Sequence, residues 1–155
     1  MSFNLNRFLK AQSAENEGYE TALKEIKKGR KVGHWIWYIF PQLKELGWSP
    51  IAKHYGIDGI NEAIAYSSEP VLWARLIEIS QALLALSETN PVKILGHTDA
   101  MKVKSCMTLF LSVEPNNEVF QAVIDKFYMG ELDGQTIAIL EKEANASKPP
   151  AGKED

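Results

Sequence analysis

The chain has 155 residues, 45% hydrophobic and 24% charged, with a formal net charge of −3. That is the balance of one soluble globular domain with a real core, and it excludes a disordered chain. The charge leaves no electrostatic footprint for nucleic acid, and the longest apolar runs fall far short of the roughly 20 residues that cross a bilayer.

Helical spacing runs through most of the chain. The stretch Met1–Arg7 has no charged segment followed by an apolar one, so no secretory signal is read. Cys106 is the single cysteine, which rules out an internal disulfide and makes a reducing cytoplasm the expected location. Leu5, Phe8 and Leu9 mark a short first helix. Tyr19, Ala22, Leu23 and Ile26 follow i, i+3, i+4, i+7 and mark a second, closed by Gly29 or Gly33. The basic run Lys24–Lys31 reads as the solvated end of that helix, its cations near the C-terminal dipole. The run 34–42 is apolar and aromatic, and periodicity does not decide between helix and strand there. Residues 47–50 read as a loop and 55–59 as a turn. Asp58 is placed to cap a helix carrying Ile60, Ala63 and Ile64.

Pro70 suits the first turn of a longer helix whose stripe is Leu72, Leu76, Ile79, Leu83 and Leu86. Asn90-Pro91 opens a short helix that Gly96 stops. Thr98 or Asp99 is read as the cap of the next helix, which runs toward Val113. Val119, Phe120, Val123, Ile124 and Phe127 form an amphipathic helix ended by Gly130, and Asp133 caps a last one with Ile137 and Leu140. The expectation is an all-α fold: a compact single domain over 1–144, an orthogonal or irregular bundle of roughly seven to nine short helices. Residues 145–155, rich in Pro and charge, read as a disordered tail.

Two constellations stand out. Trp35, Trp37, Tyr38 and Phe40 crowd one short run. They read either as a core helix anchored by large rings or as an aromatic-walled pocket, with His34 and Gln42 supplying polar contacts at its ends. In the second constellation Asp99, Lys102, Ser105 and Thr108 recur every three residues. At about 100° per residue such a row drifts around a helix, so the four side chains do not share one small site. One reading has Asp99 favoured by the helix dipole and paired with Lys102, while Ser105 and Thr108 bond backbone carbonyls one turn back. The other sets Lys102 and Ser105 against a phosphate or carboxylate. Arg75 lies at the edge of the long helix's stripe, either in a surface ion pair or as an inward anion-binding group. Cys106 reads as a buried inert thiol. His34, His54 and His97 lack metal-ligand spacing, and no dinucleotide, Walker or nucleophile-elbow motif is present. Neither metal nor cofactor is therefore expected.

The string His34-Trp35-Ile36-Trp37-Tyr38-Ile39-Phe40-Pro41-Gln42, followed by Gly47, Ser49 and Tyr55-Gly56-Ile57, resembles the signature of the bacterial family known as domain of unknown function 1810. Asp99, Lys102, Ser105 and Met107-Thr108-Leu109-Phe110 are similar to its second signature. Arg7-Phe8, Ala11-Gln12, Glu62-Ala63, Ala65-Tyr66, Arg75-Leu76, Gly130, Asp133 and Thr136 extend the resemblance over about residues 3–141. It implies a compact all-α fold and a helical run at 34–40, and it carries no catalytic residue with it. Trp73 stands where the family usually has Gly, and Cys106 where it usually has Ser. Some members bear the name calpastatin, a protease inhibitor that works through extended repeats, whereas this sequence reads as one packed domain.

Two functions follow as expectations. The first is binding or processing of a nucleotide-like or phosphorylated small molecule, an anionic ligand held by His34, Trp35, Trp37, Gln42, Arg75, Lys102 and Ser105. If a bond is hydrolysed there, Asp99, Lys102 and His34 are the catalytic candidates, with Asp99 as base and Lys102 as electrostatic stabiliser. The second is a non-catalytic interaction module, monomer or homodimer, that uses an apolar patch around Trp48 or Trp73. Neither reading involves nucleic acid or a membrane.

Overall fold

The computed structural model describes residues 3–146. Ten α-helices and one 3₁₀ turn follow one another, with no β-strand among the described residues. They are α1 (Asn6–Gln12), α2 (Tyr19–Lys27), α3 (Ile36–Ile39), α4 (Pro50–Tyr55), α5 (Gly59–Ser68), α6 (Pro70–Leu84), α7 (Pro91–Leu95), α8 (His97–Val113), α9 (Glu118–Tyr128) and α10 (Gly134–Ala146). The all-α reading holds, with more helices than the apolar spacing revealed. The extra one is α4, which lies where sequence spacing gave only a loop and a turn. Its stop-and-start chemistry was nonetheless present: the Ser49 hydroxyl accepts the Ala52 N–H at 3.2 Å, and Pro50 opens the first turn.

The other boundaries follow from local chemistry. Gly29 turns the chain after α2 at φ +86°, and Gly96 separates α7 from α8 at φ +83°, a region that costs an L side chain energy. Glu69 caps α6 through the Leu72 N–H, Asn90 caps α7 through Val92, and Asn117 caps α9 through Phe120. Asp133 caps α10, accepting from the Thr136 N–H at 2.9 Å. Two expected caps differ. Asp58 makes no side-chain cap; its own N–H donates to Glu62, and the Ile60 N–H goes to the distant Glu143 carboxylate. Helix α8 starts at His97, so Asp99 sits inside its first turn and not at the cap. Helix α10 continues through Ala146, and the rest of the tail read as disordered lies outside the described residues.

Helix α8 is the axis of the fold. Ala100, Val103 and the whole run Ser105–Leu111 are buried, so the helix is covered on nearly every side by α5, α7, α9 and α10. Helix α6 lays its stripe on α2, α5 and α9. Between α5, α6, α8 and α9 the rings of Tyr66, Trp73, Phe110 and Phe120 interlock, with Phe110 5.2 Å from Tyr66 and 5.5 Å from Trp73. Phe8 of α1 meets Tyr66 edge-on. Trp73 thus fills a space in this chain where a glycine would leave Phe110 and Phe120 without a cover.

The run 34–42 is helical only over the single turn of α3. Phe40 then leaves the helix, and just beyond the run a single parallel bridge joins Leu43 to Ile57, with Lys44 N–H to Ile57 and Ile57 N–H to Gln42, each 2.9 Å. The helical reading of the segment therefore holds for its middle, and no residue of 34–42 lies in a strand. A Phe110→Ala variant removes the ring that touches three others. It is expected to lower unfolding free energy by about 3–5 kcal/mol, read from the denaturant midpoint. A loss below about 1 kcal/mol would contradict the central placement of this ring.

Candidate functional site

The segment after α2 is fixed by one carboxylate. Glu25 accepts the Val32 N–H at 2.7 Å, the Gly33 N–H at 2.9 Å and the Trp35 indole N–H at 2.9 Å, all on one oxygen. Burial alone would raise this carboxyl's pKa. The bonds from Gly33, Val32 and Trp35, with the nearby Lys31 charge, outweigh burial and hold it below its usual value. Gly33 has a steric reason to be glycine: a Cβ there would lie 2.9 Å from Trp35 Cδ1.

This loop delivers Lys31 to α8. Its backbone N–H bonds the Ile94 carbonyl at 2.7 Å. Its ammonium donates to the Gly33 carbonyl, lies 2.7 Å from Asp99 Oδ2, and rests 5.0 Å above the Trp35 ring. The other Asp99 oxygen is 3.9 Å from Lys102 Nζ, beyond a hydrogen bond, and Lys102 rests 4.9 Å above the Trp37 ring. The site is therefore two ammonium groups, each on an indole face, sharing one carboxylate. The side chains of Lys31, Asp99 and Lys102 are 8%, 18% and 21% exposed, so the cluster opens to solvent on the Lys102 side.

The structure brings Trp35, Trp37, Asp99 and Lys102 together around Lys31. They do not form an aromatic-walled pocket. Trp35 is fully buried and has no face for a ligand; only Trp37 is partly exposed. The other candidates are placed elsewhere. His34 has an exposed ring, and only its backbone N–H is fixed, by Glu17 at 2.8 Å. Gln42 acts through its carbonyl in the bridge to Ile57. The Ser105 hydroxyl donates to the Met101 carbonyl at 3.1 Å, and Thr108 donates to the Lys104 carbonyl at 2.8 Å. Arg75 bonds the Gln12 side-chain oxygen at 3.2 Å and lies over the Tyr19 ring, while the Gln12 amide bonds the Tyr38 carbonyl at 2.8 Å. Arg75 thus braces α6 and α1 against α3. Cys106 is fully buried, and burial pushes its thiol pKa up, away from nucleophilic use.

Lys31 and Glu25 were missed in the sequence because the basic run around them reads as a solvated helix end. The available signal was Gly29, which ends the helix before Lys31 and turns that lysine out of the run. Among the described residues no group of three or more His, Cys, Asp or Glu side chains is arranged for a metal ion. No described helix is long and apolar enough to cross a membrane.

The family model described as protein of unknown function (DUF1810) matches residues 2–140. The chain belongs to the DUF1810 family. The two strings that form the site, 34–42 and 99–110, are the ones by which the sequence resembles this family. The chain is also similar to the crystal structure of the conserved hypothetical protein Rv1873 from Mycobacterium tuberculosis, at 39% identity and a TM-score of 0.85, covering 90% of this chain and 97% of that one. No curated protein matches.

Because the Glu25 pKa is lowered in the fold, its contribution to stability is present above the ordinary carboxylate value near 4.5 and disappears as pH falls through the lower folded value. Glu25→Gln is therefore expected to lower Tm more at pH 7 than at pH 3. An equal Tm loss at both values would show that the carboxylate's charge contributes nothing.

Proposed function

We propose that this DUF1810 protein binds a small anionic, nucleotide-like or phosphorylated molecule at the open side of the Lys31–Asp99–Lys102 cluster, with Trp37 beside it. The observation that carries this reading is the condition of Lys102. Its ammonium is largely covered, makes no hydrogen bond to the described residues, and stands 3.9 Å from a carboxylate already bonded to Lys31. A partly desolvated cation with free donors is stabilised by an incoming phosphate or carboxylate. The partly exposed indole next to it offers a flat ligand a stacking face.

Binding is favoured over catalysis. Asp99 is the base candidate, and its nearer oxygen is held by Lys31 at 2.7 Å, a neutralising contact that a proton acceptor must break. His34, the other acid–base candidate, makes no side-chain hydrogen bond or ion pair with the cluster among the described residues. A calorimetric and thermal-shift panel of nucleoside mono- and diphosphates tests the reading. A true ligand at a hundredfold excess over Kd stabilises by about 2.7 kcal/mol, a Tm rise of several degrees. Lys102→Met is expected to abolish that rise while keeping the fold. A panel with no response at millimolar concentration, or a response that Lys102→Met leaves intact, would overturn the reading.

A second reading, an interaction module, is favoured by one observation. Trp48 is 93% exposed, beside a shallow groove lined by Leu46, Ala138 and Ile139. Trp73, the other residue considered for such a patch, packs on Phe110 and Phe120. If Trp48 joins copies of the chain, light scattering detects a concentration-dependent dimer that Trp48→Ser converts to monomer without a Tm penalty. A monomer at every concentration tested would remove self-association from consideration.

A further inference from the structure

A second cleft, of about 510 Å³, opens between α1 and α4, lined by Asn4, Asn6, Arg7, Lys10, His54 and Tyr55. It is independent of the Lys102 cluster, which shares none of these residues. Its rims are held by Arg7. The Arg7 guanidinium donates to the Glu62 carboxylate at 2.8 and 3.2 Å, to the His54 carbonyl at 2.8 Å, to the Gly56 carbonyl at 3.0 Å, and to the Asn4 carbonyl. These bonds occupy the whole donor set of the guanidinium, and Glu62 balances its charge. Arg7 is thus a strut that fixes Asn4 on one side and His54 on the other.

The remaining polar groups around the cleft are unoccupied. The side chains of Asn4, Asn6 and Lys10 make no hydrogen bond or ion pair with the described residues. The His54 ring makes no hydrogen bond to the described residues and meets Tyr55 edge-on at 4.6 Å. Tyr55 is itself packed on Tyr38 and Phe8, so it forms a rigid wall. No carboxylate lines the cleft. The open cleft therefore offers an exposed ammonium and imidazole, two exposed amides and one half-buried aromatic face, with no carboxylate among its lining residues.

We propose that this cleft binds a small organic phosphate monoester. Lys10 and His54 hold the phosphate, the Asn4 and Asn6 amides meet hydroxyl groups of the organic part, and Tyr55 forms the wall against which that part lies. A phosphate suits the pair of nitrogen donors because its three terminal oxygens accept from both at once.

The test is a titration of ¹⁵N-labelled protein, followed by NMR, with ribose 5-phosphate, inorganic phosphate and ribose as separate probes. Ribose 5-phosphate is expected to give saturable shifts at Lys10, His54 and Tyr55. Lys10→Gln and His54→Asn, both surface changes, are each expected to weaken it about tenfold. Lys102→Met is expected to leave this binding unchanged, so failure at this cleft and failure at the Lys102 cluster read out separately. Inorganic phosphate binding as tightly as the sugar phosphate would overturn the proposal for an organic ester. So would the absence of shifts, or shifts that Lys10→Gln and His54→Asn leave unaltered.

Discussion

The Glu25 carboxylate is the constraint on which the candidate site depends. A single oxygen gathers two backbone N–H groups and the Trp35 indole N–H. Each is a charge-assisted bond, stronger than its neutral equivalent. Without it, the loop loses its shape and a fully buried indole loses its partner, which is a costly state for a donor. With it, the chain leaves α2, turns at Gly29, and presents Lys31 to Asp99. The positions of Trp35 and Lys31, and through Asp99 the environment of Lys102, all follow from this oxygen.

Helix α8 makes the matching half. It is buried almost all round, yet carries Ser105, Thr108 and Cys106 in its covered part. The hydroxyls are tolerated because each bonds a carbonyl one turn back. Thr108 also accepts the Asp133 N–H, which ties the start of α10 to the axis. In the first turns of α8 Asp99 and Lys102 emerge partly from cover. The periodic row Asp99–Lys102–Ser105–Thr108 divides into a solvent-facing pair and a structural pair.

Much of the fold was legible because its helix ends are written in local chemistry. Pro70, Asn90-Pro91, Gly96, Gly130 and Asp133 mark boundaries at or beside the places where the structure has them. Helix α4 escaped because its six residues carry no buried stripe, so hydrophobic periodicity had nothing to register there. The juncture of Trp37 with Lys102 was readable only as two separate runs. No spacing rule reports that a loop will set residues 35–37 beside residue 102. The fate of Arg75 was unreadable for a related reason. Its partner, Gln12, lies 63 positions away, and only the tertiary fold brings the two together.

Hydrogen-bond saturation separates the cations that build this fold from Lys102. Arg7 has its donors filled by a carboxylate and three carbonyls, and Lys126 donates to the Leu84 and Leu86 carbonyls at the end of α6. Lys31 is satisfied by Asp99 and the Gly33 carbonyl. Removing any of these charges would leave oxygens unpaired inside the protein, so their role is architectural. Lys102 differs in kind. It rests on the Trp37 face, but its N–H groups make no hydrogen bond to the described residues and its attraction to Asp99 is shared with the closer Lys31. A cation–π contact of about 0.5–2 kcal/mol holds the ammonium in place without filling its donors. The proposed anion binding rests on that combination, because a group positioned beforehand loses less freedom when a ligand arrives.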